Sequence, residues 1–173
     1  CGADPDAPVR TDLRTARLWY STLRKDKRDT AVLRGIADEL RRGGVEVISS
    51  VHYCQEHLAH EGLMTRSRPP RAAAGDIDFA WRIARQSAAL DIGQSLAVKE
   101  RDIIAIEAME GTDAMIRRAG ALCRVGGWTL VKVARPDQDM RFDVPTIGPA
   151  TLRNLRDAGC RCLVVEAGRT FIV

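Results

Sequence analysis

A chain of 173 residues, 45% hydrophobic and 29% charged, has the composition of a folded globular protein with one ordinary domain or a domain plus a short extra region. No stretch approaches the roughly 18 consecutive apolar residues of a membrane-spanning helix, and Cys1 to Val9 lacks the basic segment and apolar run of a secretory signal. The five cysteines are odd in number and scattered, which argues against a disulfide scaffold and for a reducing cytoplasm.

The net charge of +4 is unevenly laid out. Arg10 to Arg42 is rich in Arg and Lys, and acidic residues gather between Glu107 and Asp143. A basic first third suits phosphates or an anionic membrane surface, or it is simply a solvated helix face.

In chain order, Thr11 to Lys25 carries Leu13, Ala16, Leu18, Trp19 and Leu23 at helical spacing. Asp29 or Thr30 caps a second helix with Leu33, Ile36, Ala37 and Leu40 on one face, stopped by Gly43-Gly44. The β-branched run Val45 to Val51 predicts a strand, Cys54 to His60 a short helical turn, and Arg66 to Ala74, with Pro69-Pro70, a loop. Asp76 starts the next predicted helix, with Ile77, Ala80, Ile83, Ala84 and Ala88 along one side. Ser95 to Val98 and Ile103 to Ala108 read as a hairpin around the polar turn Lys99 to Asp102. A helix over Thr112 to Ala121, a strand over Trp128 to Ala134, a helix over Pro149 to Ala158, and strands over Cys160 to Glu166 and Arg169 to Val173 complete the series. The sum predicts an α/β fold: a mixed sheet of about five or six strands flanked by helices, preceded by a helical linker region.

Two segments carry chemistry. In Ala105-Ile-Glu-Ala-Met-Glu-Gly-Thr-Asp-Ala-Met115 a strand delivers Glu107 and passes through Glu110-Gly111-Thr112-Asp113 into a helix. Strand ends feeding helix starts are where open α/β proteins hold ligands, and a helix start suits a phosphate. Carboxylates beside it would repel that phosphate unless a hard divalent cation lies between them, although Thr112 or Asp113 could equally be a plain cap. In the second segment, Lys132 sits in an apolar strand, where it needs an anionic partner. Arg135, Asp137, Asp139, Arg141 and Asp143 crowd the following loop, stiffened by Pro136 and Pro145 and ending in Thr146-Ile147-Gly148. This mixture suits a metal–phosphate site; a structural ion-pair network would show the same pattern.

Three runs make a resemblance specific: Leu90-Asp-Ile-Gly-Gln-Ser95, Ile106-Glu-Ala-Met-Glu-Gly-Thr-Asp-Ala-Met115, and Lys132 through Gly148 with its Arg-Phe-Asp-Val-Pro-Thr-Ile-Gly ending. Together with weaker likeness at Arg28 to Arg34, His57 to Thr65 and Val165 to Thr170, they resemble the UDP-2,3-diacylglucosamine pyrophosphatases of lipid A synthesis found in many Gram-negative bacteria. The resemblance implies hydrolysis of UDP-2,3-diacylglucosamine to UMP and 2,3-diacylglucosamine 1-phosphate, with Mg²⁺ or Mn²⁺, by a protein peripheral at the cytoplasmic face of the inner membrane. It implies that the essential aspartate is Asp143. By residue type, Lys132 and Arg141 are the further catalytic candidates, Gly111, Thr112, Arg135 and Thr146 the substrate contacts, and Glu107, Glu110, Asp113 and Asp139, with Asp143, the metal contacts. Its expected partners are the UDP-linked lipid and the membrane surface, with self-association open and no nucleic acid.

The same resemblance divides the chain into 1–44, a helical linker or remnant of a Gly-rich N-terminal domain, and 45–173, a catalytic-type α/β domain. Activity is then expected to need the missing N-terminal part. Arg101 stands where glycine is common, and Arg135 where lysine is, a change that keeps the charge but not the hydrogen-bond geometry. The alternative function is a non-catalytic module that binds a nucleotide sugar or phospholipid. His52, His57 and His60 with Cys54 lack the spacing of a closed zinc site. Cys160 and Cys162 read as core thiols. Trp19 and Tyr20, on the basic helix, are expected to pack against a neighbour.

Overall fold

The computed structural model describes Leu13, Ala16, Tyr20 and residues 29–173. The chain divides into two compact units, 1–49 and 50–173. In the first, helix α1 spans Asp29–Arg42. It ends as its glycines predict: Gly44 adopts a positive φ of 83°, its N–H donates to Arg41 O at 3.0 Å, and Val45 N–H reaches back to Leu40 O at 3.0 Å. The helix expected over 11–25 falls outside the described residues, apart from three scattered positions.

The predicted strand at 45–51 does not form. Val45 and Ile48 are about half exposed, no described segment pairs with them, and Ser50–His52 instead makes a 3₁₀ turn. β-Branched residues favour a strand only where a neighbour and a buried face are supplied.

The second unit holds helices α2 (Ala73–Ala89), α3 (Thr112–Leu122) and α4 (Pro149–Asp157). Strands β1 (Ser95–Lys99), β2 (Asp102–Ile106), β3 (Trp128–Lys132) and β5 (Cys160–Val165) form one sheet in the order β2-β1-β3-β5. β1 is antiparallel to β2 and β3, while β3 and β5 run parallel. The fold is α/β with a mixed sheet, as expected, but its six strands fall into two sheets. β4 (Thr146–Ile147) and β6 (Phe171–Ile172) pair in parallel on their own.

The sheet is covered on both faces, which explains why Leu96-Ala97-Val98 reads as an unbroken apolar run rather than an alternating one. Leu96, Val98, Val131 and Val133 pack against Ala80, Ala84 and Ala88 of α2. Ala97, Trp128 and Leu130 pack on the other side with Met115, Ile116 and Ala119 of α3 and Leu155 of α4. Small alanines let α2 lie close to the strands. Where α3 meets the end of α4, a Cβ on Gly120 would stand 2.8 Å from the Ala158 side chain, so only glycine fits.

The hairpin turn is built without its usual glycine. Glu100 and Arg101 both adopt positive φ, 54° and 60°, as a two-residue hairpin turn demands. The buried Asp76 carboxylate offsets that strain by accepting from Arg101 N at 2.7 Å and Glu100 N at 3.2 Å. Gly75 leaves room for the Arg101 guanidinium, which would stand 3.2 Å from a Cβ there.

Candidate functional site at the strand ends

Antiparallel pairing puts the start of β1 beside the end of β3, with Ser95 opposite Lys132. The end of β2 lies at the same edge, since Leu96 faces Ile106. Backbone bonds continue the ladder outward: Glu107 N to Ser95 O at 2.9 Å, and Val133 N to Gln94 O at 2.9 Å. Segments 91–94, 107–108, 132–135 and 143–146 thereby meet around one cavity of about 350 Å³. Gly93 permits it. A Cβ there would come within 1.9 Å of Glu107 O, so no other residue lets the two segments approach.

Lys132 crosses the cavity floor, 9% exposed. Its Nζ donates to Thr112 Oγ1 at 2.8 Å, and Thr112 donates on to Glu107 Oε1 at 2.8 Å. Burial pushes the lysine pKa down, opposed by the charges of Glu107, Asp113 and Asp143. The second Glu107 oxygen, Oε2, is buried with no hydrogen-bond partner, as is Gln94 Oε1 on the same cavity. Two buried acceptors at one cavity are costly unless a donor or a cation meets them.

On the facing wall, Arg135 reaches Asp143 Oδ2 at 2.6 Å and Asp91 Oδ1 at 3.2 Å. Buried Gln138 closes the loop, accepting from Arg135 N at 3.1 Å and donating to Asp143 O at 2.5 Å. Thr146 Oγ1 donates to Val144 O at 2.9 Å.

Of the residues singled out by sequence, Glu107, Lys132, Arg135, Asp143 and Thr146 line the cavity, and Thr112 joins two of them. Gly111 caps α3 with φ 79°, next to Thr112. The others lie outside the lining. Arg141 holds Asp139 with two bonds, 2.9 and 2.7 Å, and stacks over Phe142. Glu110 pairs with Arg118, which holds its carboxyl below the usual range, and also accepts from Ala108 N at 3.0 Å. Asp113, in the first turn of α3, is exposed. Sequence reasoning passed over Asp91, Gly93, Gln94 and Gln138. The first three lie in the quoted run 90–95, where a lone glycine beside a strand was the available signal of close backbone approach.

The five carboxylates expected to share a metal therefore do not converge as a set. Among the described residues no group of three or more His, Cys, Asp or Glu side chains could hold a metal ion. Two of the five, Glu107 and Asp143, do share the cavity, and Glu107 offers a buried oxygen without a partner. That donor set fits Mg²⁺ or Mn²⁺ as an open site, since Mg²⁺ is ordinarily bound by one or two carboxylates together with waters and substrate phosphates.

Fold and cavity together define the class: an α/β domain with a mixed-charge cleft at one end of a doubly covered sheet. Residues 60–173 match the family described as LpxI C-terminal domain, and the chain belongs to that family. It is 38% identical over 156 residues to the UDP-2,3-diacylglucosamine pyrophosphatase LpxI of Caulobacter vibrioides, an alignment covering 85% of this chain and 55% of that protein. The chain thus spans about half the length of that relative.

Proposed function

We propose that this chain carries the diphosphate-cleaving site of a UDP-2,3-diacylglucosamine pyrophosphatase, which hydrolyses its substrate to UMP and 2,3-diacylglucosamine 1-phosphate. The observation that carries the reading is the facing pair of polar arrays on one cavity. Lys132, linked through Thr112 to Glu107, is one array, and the Arg135–Asp143 pair is the other. Membership of the family supports the same reading.

In this mechanism Lys132 and Arg135 meet the negative oxygens of the diphosphate, and Thr112 fixes the lysine in place. Asp143 orients a water towards the α-phosphorus and takes its proton. The new P–O bond forms to that water as the bond to the bridging oxygen breaks, so the electron pair leaves with the sugar phosphate. A divalent cation held by Glu107 and Asp143 would neutralise phosphoryl oxygens and lower the pKa of a bound water. No helix among the described residues is long and apolar enough to cross a membrane. By its family resemblance, the reading has the protein meet its lipid substrate as a peripheral enzyme at the cytoplasmic face of the inner membrane.

The test is UMP release by the complete natural protein with Mg²⁺ or Mn²⁺. Asp143→Ala is expected to lower turnover roughly 10³-fold while leaving the melting temperature in place. A folded variant with normal turnover would remove Asp143 from the mechanism. Wild-type protein that binds the UDP-lipid without releasing UMP would favour the non-catalytic binding module.

A further inference from the structure

Glu166 follows β5 and lies outside the cavity, yet both its oxygens are engaged. Oε2 accepts from Ala134 N at 2.8 Å, and Oε1 accepts from Arg85 Nη1 of α2 at 2.7 Å. Its own N–H donates to Lys132 O at 3.2 Å. Three residues on, Arg169 Nη2 donates to Arg135 O at 2.8 Å, and its Nη1 stands 3.7 Å from Glu166 Oε1. Ala134 is completely buried, so its amide has no water to turn to. The backbone on either side of Arg135 is therefore pinned from the segment that follows β5, immediately before Pro136 limits it further. The Arg135 guanidinium, which reaches Asp143 and Asp91, starts from that pinned backbone.

We propose that Glu166, with Arg169, is a positioning residue: it acts through Arg135 to hold the Arg135–Asp143 pair against the cavity. The proposal rests on the reading of that pair as part of the diphosphate site. Two main-chain groups that bracket Arg135, Ala134 N–H and Arg135 C=O, are held by side chains outside the cavity lining, which gives Glu166 no direct catalytic part. A displacement of about 1 Å at such a support can lower turnover on the order of 100-fold.

The experiment is a double-mutant cycle on UMP release by the complete protein with Mg²⁺. Glu166→Ala is expected to lower kcat/KM roughly 10- to 100-fold. In an Arg135→Ala background it should cost less than about a further twofold, because its route of action is already gone. Independent, multiplying losses would overturn the proposal. Glu166→Gln, which keeps an acceptor for Ala134 N, should stay within about threefold of wild type. A glutamine variant as damaged as alanine would count against the device. If Glu166→Ala does not fold, Arg169→Met removes the donor to Arg135 O and enters the same cycle. The mobility of the Arg135 guanidinium, followed by ¹⁵N NMR, reads the pair without turnover. It should loosen in Glu166→Ala or Arg169→Met, and an unchanged signal would overturn the positioning role. Wild-type protein without UMP release would sink the functional reading, and the NMR result would still decide this one.

Discussion

The two ends of the four-stranded sheet use polar residues in opposite ways. At the hairpin end, the Asp76 carboxylate caps two turn amides, Lys99 Nζ donates to Gly126 O at 2.8 Å, and Trp128 Nε1 donates to Ala158 O at 3.0 Å. A Cβ on Gly126 would meet Gly159 O at 3.1 Å, so the loops there lie nearly backbone on backbone. The side-chain polarity named there closes on the main chain. At the other end, Lys132, Glu107, Arg135 and Asp143 gather around one cavity, and three buried oxygens, Glu107 Oε2, Gln94 Oε1 and Ser95 Oγ, lack partners. The same scaffold thus concentrates its unmet polarity at one edge, which is where a ligand gains most by binding.

Substitutions at the two ends should therefore separate activity from stability. The largest effect is expected from Lys132→Met, which removes the cavity's buried cation and frees Thr112. UMP release by the complete protein should fall roughly 10²- to 10³-fold with the fold retained, as circular dichroism would check. Gly93→Ala should damage both properties, because its Cβ would collide with Glu107 O. Urea unfolding should show a loss of about 3 kcal/mol, with activity reduced as the 91–94 segment is forced away. Asp76→Ala should do the reverse of the lysine change. It is expected to cost about 2 kcal/mol in urea by stranding the two turn amides, while turnover at 25 °C stays within about twofold.

The smallest effect concerns Cys160, whose thiol burial pushes up to about 11 from an ordinary 9.0. The folded protein then keeps that proton longer than the unfolded chain does. The resulting stabilisation is complete below pH 9 and disappears as pH rises towards 11. Wild type should lose about 2 kcal/mol relative to Cys160→Ala across that window, measured by denaturant unfolding at each pH. A flat difference would show that the thiol is solvated.

Much of this arrangement was legible in the residues. The hairpin, the helices after Gly111 and Gly148, and the strand bearing Lys132 follow from periodicity and turn residues, because local preference and tertiary packing agree there. The run 45–51 misled because β-propensity describes a fit to neighbours that the described structure does not supply. β4 escaped notice since two residues carry no period, and Phe171–Ile172 pairs with it from far along the chain. At the site, residue type flagged Lys132, Arg135 and Asp143. It could not say that Arg141 would fold back on Asp139, or that Glu110 would turn to Arg118: which acid meets which base is decided by loop path. The positive φ at Glu100 and Arg101 was hidden for a related reason, as the carboxylate that offsets it belongs to α2.

The small parallel pair β4–β6 has a consequence for the order of assembly. Phe171 N donates to Pro145 O at 2.8 Å, and Val173 N to Ile147 O at 3.0 Å, so the stretch just after Asp143 is stitched to residues synthesised well after it. On a translating ribosome the loop bearing that aspartate would have its bonds to Arg135, Gln138 and Asp139, but not this seam, until those residues emerged. A nascent polypeptide halted between Ile147 and Phe171 would carry every cavity-lining residue and still lack the seam that steadies their last wall.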